Sequence, residues 1–374
     1  MLEKYGLNKI KFDGAPPTVV VGMSGGVDSS VAALILKWQG YNVVGLFMKN
    51  WEETTPDGCC PSEQDFSDVK RVAEIIGIPY YTVNFAKQYM EKVFQVFLDG
   101  LKKGITPNPD ILCNREIKFG PFLQKALEIG ADYVATGHYV RVRHCEARSN
   151  PDSKRTHALL KGVDETKDQS YFLCGLNQEQ LSKVIFPIGG LLKSQVREIA
   201  KTANLITAEK KDSTGICFIG ERKFREFMKG YLGNQAGDIK TLNGKVVGRH
   251  EGLMYYTLGQ RKGLGIGGKS ESTERWFVVR KDLKENVLYV NNGECEEMFT
   301  NKVIAEEFSW IEEARPGKLT AKTRYRQPDQ KCEAEILADG RVLTVFEKPQ
   351  RAVTPGQWLV LYDSDVCLGG GIII

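Results

Sequence analysis

Three stretches of the chain carry residue types that can do chemistry. The first is Gly22-Met23-Ser24-Gly25-Gly26-Val27-Asp28-Ser29, which follows the apolar run Val19-Val20-Val21. Two adjacent glycines without Cβ let phosphate oxygens approach the backbone, the serines add hydroxyl donors, and Asp28 is a carboxylate that suits Mg²⁺. The second is Thr106-Pro107-Asn108-Pro109-Asp110-Ile111-Leu112-Cys113-Asn114. Its prolines fix φ and bias Thr106 and Asn108 towards extended backbone, so a stiff loop presents Asp110 and Cys113 three residues apart. A carboxylate can relay a proton for a thiol. It also raises the thiol pKa, so activation must come from a helix N-terminus or from basic neighbours such as Arg115 and Lys118. In the third stretch, Lys210 to Gly220, Cys217 follows two lysines and a turn of small residues, and cations favour a thiolate. The local sequence leaves open that either cysteine is only a small buried residue.

These groups must be held by regular elements. Val19 to Val21 reads as a buried parallel strand, and Val27, Val31, Leu34, Ile35 and Trp38 mark one face of a helix that stops at Gly40. A strand, a glycine turn and a helix N-terminus make an anion site. No lysine follows the glycines, so this is not the G-x-x-x-x-G-K-[ST] loop. Asn42 to Met48 and Tyr80 to Phe85 read as strands, with helices over residues 62–76, 90–101 and 119–127, then a short strand at Tyr133 to Thr136. The alternation predicts an α/β fold with a doubly wound parallel sheet, whose ligands sit beyond the carboxyl ends of the strands. Those ends are Gly22–Ser29, Met48-Lys49-Asn50 and Thr136-Gly137-His138.

Arg141 to His157 is polar and reads as an exposed connection. After Phe218-Ile219-Gly220 one helix leads into glycine-rich, strand-like sequence, and from there strands and turns dominate. The expected division is 1–222 for the catalytic domain, 223–294 for a small central domain and 295–374 for a C-terminal β-barrel. Within the last, Leu319 to Arg326 alternates, with Lys322, Arg324 and Arg326 on one side, and Ala338 to Arg341 is a hairpin turn. Gly263 to Gly268 matches G-x-G-x-x-G, but no strand leads in and no helix follows, so it fails as a dinucleotide fingerprint.

The 374 residues are 42% hydrophobic and 26% charged, ordinary for a globular protein, and a net charge of +4 permits an RNA partner without requiring one. Nine cysteines without any C-x-x-C argue against a disulfide framework and against structural zinc. Neither a leader nor a membrane span is apparent in the sequence, which places the expected compartment in the cytoplasm.

The glycine turn resembles the S-G-G-x-D-S signature of the PP-loop ATP-pyrophosphatases. Together with Phe47-Met48-Lys49-Asn50-Trp51, the Pro107–Cys113 loop, Thr136-Gly137-His138-Tyr139, Lys167-Asp168-Gln169-Ser170, Asp212 to Gly220 and Tyr256 to Arg261, it resembles the tRNA-specific 2-thiouridylases. So do Arg324-Tyr325-Arg326, Thr354-Pro355-Gly356-Gln357 and Cys367 to Gly371. The resemblance implies that Gly22 to Ser29, Met48 and Gly137 hold ATP with Mg²⁺. It implies that ATP adenylates O2 of the wobble uridine, U34, in a tRNA anticodon stem-loop. Cys217 would carry sulfur as a persulfide, Cys113 would be its partner thiol, with a disulfide between them as one outcome, and Asp110 would be the acid/base. The implied tRNA contacts are Asn108, Pro109, Asp110, His138, Lys167, Asp168, Gln169, Arg324, Tyr325 and Gln357. A persulfide donor, a cysteine desulfurase or small sulfur-relay protein, is implied by the chemistry. An iron–sulfur cluster on Asp110, Cys113 and Cys217 is not favoured, because three ligands are one short of the usual set.

Overall fold

The computed structural model describes residues 2–51, 61–145, 156–212, 224–266 and 274–374. Cys59, Cys60, Cys217 and Gly267-Gly268 lie outside them. β1 (Thr18–Met23) is followed by α1 (Val27–Gln39), β2 (Asn42–Lys49), α2 (Pro61–Ile76) and β3 (Tyr80–Asn84). A long helical run then comprises α3 (Ala86–Tyr89), a π turn at Met90–Phe94 and α4 (Gln95–Lys102). The thiol loop forms α5 (Pro109–Cys113), which passes through a second π turn, Asn114–Lys118, before α6 (Pro121–Glu128) and β4 (Tyr133–Ala135).

The expected connection at residues 141–157 carries strand at both ends: β5 (Val140–Cys145) and β6 (Thr156–Lys161) pair antiparallel, and residues 146–155 lie outside the described ones. In β5, Arg141 and Arg143 alternate with Val140 and Val142, and Val140 and its neighbour on the partner strand, Leu159, are fully buried. α7 (Gln178–Ser182), β7 (Val184–Ile185) and α8 (Lys193–Thr202) complete this part of the chain.

The first sheet has the order β3-β2-β1-β4-β7 and its pairings are parallel, as expected. Val19 to Met23 are buried without alternation, because helices cover both faces. α1, α2 and α8 pack on the face that carries Val19, Val21 and Phe47. α4, α5 and α6 pack on the other face, with Val20, Leu46 and Met48. Cys113 is in this second cluster.

α9 (Phe224–Leu232) leads into a four-stranded sheet, β10-β11-β8-β9, built from β8 (Gly237–Thr241), β9 (Val246–His250), β10 (Trp276–Asp282) and β11 (Val287–Asn292). The last sheet comprises β12 (Phe299–Trp310), β13 (Gly317–Lys322), β14 (Gln330–Ile336), β15 (Val342–Arg351), β16 (Trp358–Asp363) and β17 (Val366–Ile373). β12 pairs with both β15 and β17, which closes these six strands into a barrel. β6 then pairs with β17, so the β5–β6 hairpin extends the barrel sheet outwards. Among the described residues no helix is long and apolar enough to cross a membrane.

Candidate active site

The anion turn is built as its residue types require. β1 ends at Met23, Gly26 is extended at the helix N-cap with φ −95° and ψ 164°, and α1 begins at Val27. The turn closes on its own hydroxyls. Ser29 Oγ accepts from Ser24 N at 3.1 Å, and Ser30 Oγ donates to the Gly26 carbonyl at 2.8 Å. Gly25 has φ +72°, and a Cβ there would lie 2.6 Å from the Asp65 carbonyl, so no side chain fits. A Cβ on Gly137 would lie 2.7 Å from Ser29 N. The stretch after β4 therefore presses against the first turn of α1. Met48, at the end of β2, touches Gly22 from the other side.

Two cations, Lys193 and Lys210, bond to this turn, and Lys167 and Arg197 gather on the neighbouring Asp212. Lys193 Nζ lies 2.8 Å from both oxygens of Asp28 and 2.8 Å from Asp212. Tyr139 donates its hydroxyl to Asp28 at 2.7 Å. Lys167 and Arg197 bind Asp212 at 2.7 and 2.8 Å. Lys210 donates to the Gly25 carbonyl at 3.0 Å and to Asp65 and Asp68 at 2.8 and 2.6 Å. Burial would push the Asp212 carboxyl up, but the hydrogen bonds and charges of Lys167 and Lys193 outweigh it and hold the pKa at about 2. Burial, then the neighbouring Asp28 charge, drives the Tyr139 phenol well above its ordinary range, so it stays a donor. Asp28, the expected Mg²⁺ ligand, is thus engaged by Lys193 on both oxygens. Among the described residues no group of three or more His, Cys, Asp or Glu side chains could hold a metal ion.

The thiol loop is fixed at both ends. Thr106 N donates to the Pro355 carbonyl at 2.8 Å, and the Gln357 side-chain amide donates to the Thr106 carbonyl at 2.7 Å. Asn108 caps α5, its Oδ1 accepting from Asp110 N and Ile111 N, with Pro109 in the first turn. Asp110 is half-buried and Cys113 fully buried. Cys113 shares its cluster with Met48, Trp51 and Phe122, and Phe122 also packs against Gly22. Phe122, on α6, therefore links the cluster around Cys113 to the anion turn. At the far end Asn114 donates to the Phe172 carbonyl at 3.0 Å.

The remaining expected contacts fall into an inner and an outer group. His138 is buried beside Phe119 and Phe186, its Nδ1 2.7 Å from the Thr136 hydroxyl. Burial, with Lys118 nearby, lowers its pKa well below the ordinary value and keeps the ring neutral. Asp168 is buried too, accepting from Gly162 N, Ser170 N and Ser170 Oγ. Gln169 accepts from Tyr139 N at 2.9 Å. Lys322, expected on an outward basic face, turns inwards to Asp168 and Asp329. Arg324 and Arg326 are exposed on a turn beyond β13. That turn is pinned by Gln327 Oε1, which accepts from Thr323 N and Oγ1 at 2.7 and 3.0 Å. Tyr325, on the same turn, packs on Phe172 with ring centroids 4.2 Å apart.

The chain matches three family profiles in succession. They describe a tRNA methyl transferase HUP domain over residues 17–221, a tRNA methyl transferase PRC-barrel domain over 225–292 and an aminomethyltransferase beta-barrel domain over 300–373. It is 58% identical over 363 residues to a tRNA-specific 2-thiouridylase MnmA of Bacillus velezensis, covering 95% of this chain and 94% of that one. It is 56% identical over 360 residues to the protein of that name in Bacillus subtilis, with the same coverage. The chain belongs to the tRNA-specific 2-thiouridylase family. Among solved structures, the U34-tRNA thiolase NcsA of Methanococcus maripaludis with its [4Fe-4S] cluster is 17% identical, with a TM-score of 0.37 over 61% of this chain and 69% of that one.

Against the motifs that carry the resemblance to the 2-thiouridylases, Lys193 and Arg197 went unmarked in the sequence. Lys193 and Arg197 are the polar side of an amphipathic helix, where lysine and arginine are expected for solvation alone. Only the packing of α8 against α1 puts them beside Asp28 and Asp212. The Asp212 to Gly220 motif of the family is described only at Asp212, and Cys217 lies beyond it.

Proposed function

We propose that this chain is an ATP-dependent tRNA uridine 2-sulfurtransferase acting on U34. One observation carries the reading. A glycine-serine anion turn bonded by Lys193 and Lys210, with Lys167 and Arg197 on the neighbouring Asp212, is linked through Phe122 to the cluster that holds Cys113, in a chain 58% identical to a protein named for this activity. Gly22 to Ser29, Met48 and Gly137 hold MgATP, and Lys193 exchanges its carboxylates for phosphate oxygens when the substrate arrives. Asp28, released from Lys193, would then be the carboxylate available to hold magnesium.

The uridine oxygen O2 attacks the α-phosphorus, the bond to the β-phosphate breaks, and pyrophosphate leaves. Asp110 takes up and returns the N3 proton. Adenylation turns a poor leaving group into AMP. The terminal sulfur of a Cys217 persulfide then attacks C2, and AMP departs. The Cys113 thiolate attacks the inner sulfur, releasing thiouridine and leaving a Cys113–Cys217 disulfide for an external thiol to reduce. In the second route Cys113 attacks first, and free hydrosulfide adds to C2. The sulfur comes from a persulfide donor, a desulfurase or relay protein. Asn108, Pro109, His138, Lys167, Asp168, Gln169, Arg324, Tyr325 and Gln357 form the tRNA side, with the C-terminal barrel taking the backbone. The target base must leave its stack to be reached.

The test is nucleoside mass spectrometry of bulk tRNA from a strain lacking the gene. The expected result is loss of 2-thiouridine derivatives, restored by the wild-type gene and not by C217S. Undiminished thiouridine sinks the activity, and rescue by C217S sinks the persulfide role.

A further inference from the structure

The β5–β6 hairpin carries two of the chain's four histidines on one rung, His144 opposite His157. Alternation puts them on the face of Val140, Val142 and Leu159, with Arg141 and Arg143 on the other. Their rings stand perpendicular, at 86° with centroids 4.9 Å apart, and the two Nδ1 atoms lie 2.9 Å from each other. One ring donates its Nδ1–H and the other accepts. The pair is well anchored. Val142 and Leu159, on the next rung, pack in the cluster with Trp358 and Cys367. Gln178 of α7 bonds the His157 backbone twice, its Oε1 accepting from the nitrogen and its amide donating to the carbonyl, both at 2.8 Å. His144 is exposed and His157 half-buried, so a small ion reaches both rings from solvent.

Between rings open to water, a shared proton contributes little, because water competes for it. Two imidazole nitrogens held on one rung make a chelate instead. Nitrogens bound cis to one cation at about 2.0–2.1 Å lie about 2.8–3.0 Å apart, against about 3.3–3.4 Å in a tetrahedral site. The 2.9 Å separation is the cis distance. We propose that His144 and His157 form a two-histidine site for a divalent transition-metal cation of tetragonal or octahedral preference, the Ni²⁺ and Cu²⁺ class, with water completing its shell. On binding, the ring that carries the Nδ1 proton takes the Nε2–H tautomer, so both Nδ1 lone pairs face the cation and neither imidazole changes charge. The cation clips β5 to β6 in the hairpin that extends the barrel sheet.

The test titrates tag-free, full-length protein with NiCl₂ at neutral pH by calorimetry and follows with thermal melts. H144N and H157N are each expected to weaken Ni²⁺ binding by about tenfold or more, because one imidazole alone does not chelate. Saturating Ni²⁺ is expected to raise the Tm of the wild type and not of H144N, since the ion binds the folded hairpin. Zn²⁺ is expected to bind the same pair more weakly than Ni²⁺. Wild-type protein that takes up no Ni²⁺, or takes it up equally in both variants through thiols elsewhere, overturns the proposal. Zn²⁺ binding more tightly than Ni²⁺ at these histidines overturns the cis geometry on which it rests. H144N, at an exposed ring, keeps the test decisive if H157N fails to fold.

Discussion

Lys193 stands between the anion turn and the root of the segment that carries Cys217, because its ammonium binds Asp28 and Asp212 together. A helix-surface lysine would tolerate replacement, whereas a phosphate-binding one would not. K193M is expected to raise the KM for ATP by about tenfold or more in a pyrophosphate-release assay, with the far-UV spectrum unchanged. An unchanged KM would leave Lys193 as part of the scaffold only. Asp212 makes a separate prediction about pH. Its folded pKa of about 2 lies below the ordinary 3.8, so the unfolded chain binds the proton more readily. Its contribution to stability is present above pH 3.8 and is lost as pH falls towards about 2. Denaturant melts across that window should fall less steeply for D212N than for the wild type.

At the scale of elements, the thiol loop is held less by its own helix than by the barrel. α5 is only five residues long, too short to be stable alone, and its entry is set by Pro355 and Gln357 through Thr106. Gln357 was marked by resemblance as a tRNA contact. Its amide nitrogen donates within the protein, which gives it a positioning role as well. Q357A is expected to slow single-turnover pyrophosphate release roughly two- to tenfold while leaving the KM for ATP unchanged. Filter binding of the transcript separates the two roles: an unchanged Kd marks positioning, and a weakened one marks contact. The strand β13 makes a similar point. Alternation placed Lys322 outwards with Arg324 and Arg326, but the strand ends at Lys322, whose ammonium neutralises the buried Asp168. The two arginines sit on a turn, where period two no longer applies.

Across the whole molecule, one sheet runs through regions far apart in sequence. β6 pairs with β17, and Leu159 and Val140 pack in one cluster with Trp358, Val360 and Cys367. A chain ended at residue 294 keeps the β5–β6 hairpin but loses what covers it. Such a fragment is expected to aggregate or to be digested rapidly at residues 140–161, as limited proteolysis and gel filtration would show. A compact, protease-resistant monomer would instead make the first 294 residues an independent unit.

The parallel sheet, the anion turn and the barrel were legible because each rests on local rules: apolar runs, a glycine turn before an amphipathic helix, alternation between short turns. Met48 and Gly137 were legible as strand-end residues for the same reason, whereas Asp110 and Cys113, expected on a loop, lie on α5, whose N-cap is Asn108 with Pro109 in the first turn. The hairpin at residues 140–161 was hidden because its inward residues are few and its partner strand lies some two hundred positions later. Lys193 and Arg197 were hidden because their chemistry exists only once α8 meets α1. Asn50 looked like any polar residue at a strand end. Only burial, which depends on what packs over it from elsewhere in the chain, leaves its carboxamide without a hydrogen-bond partner among the described residues.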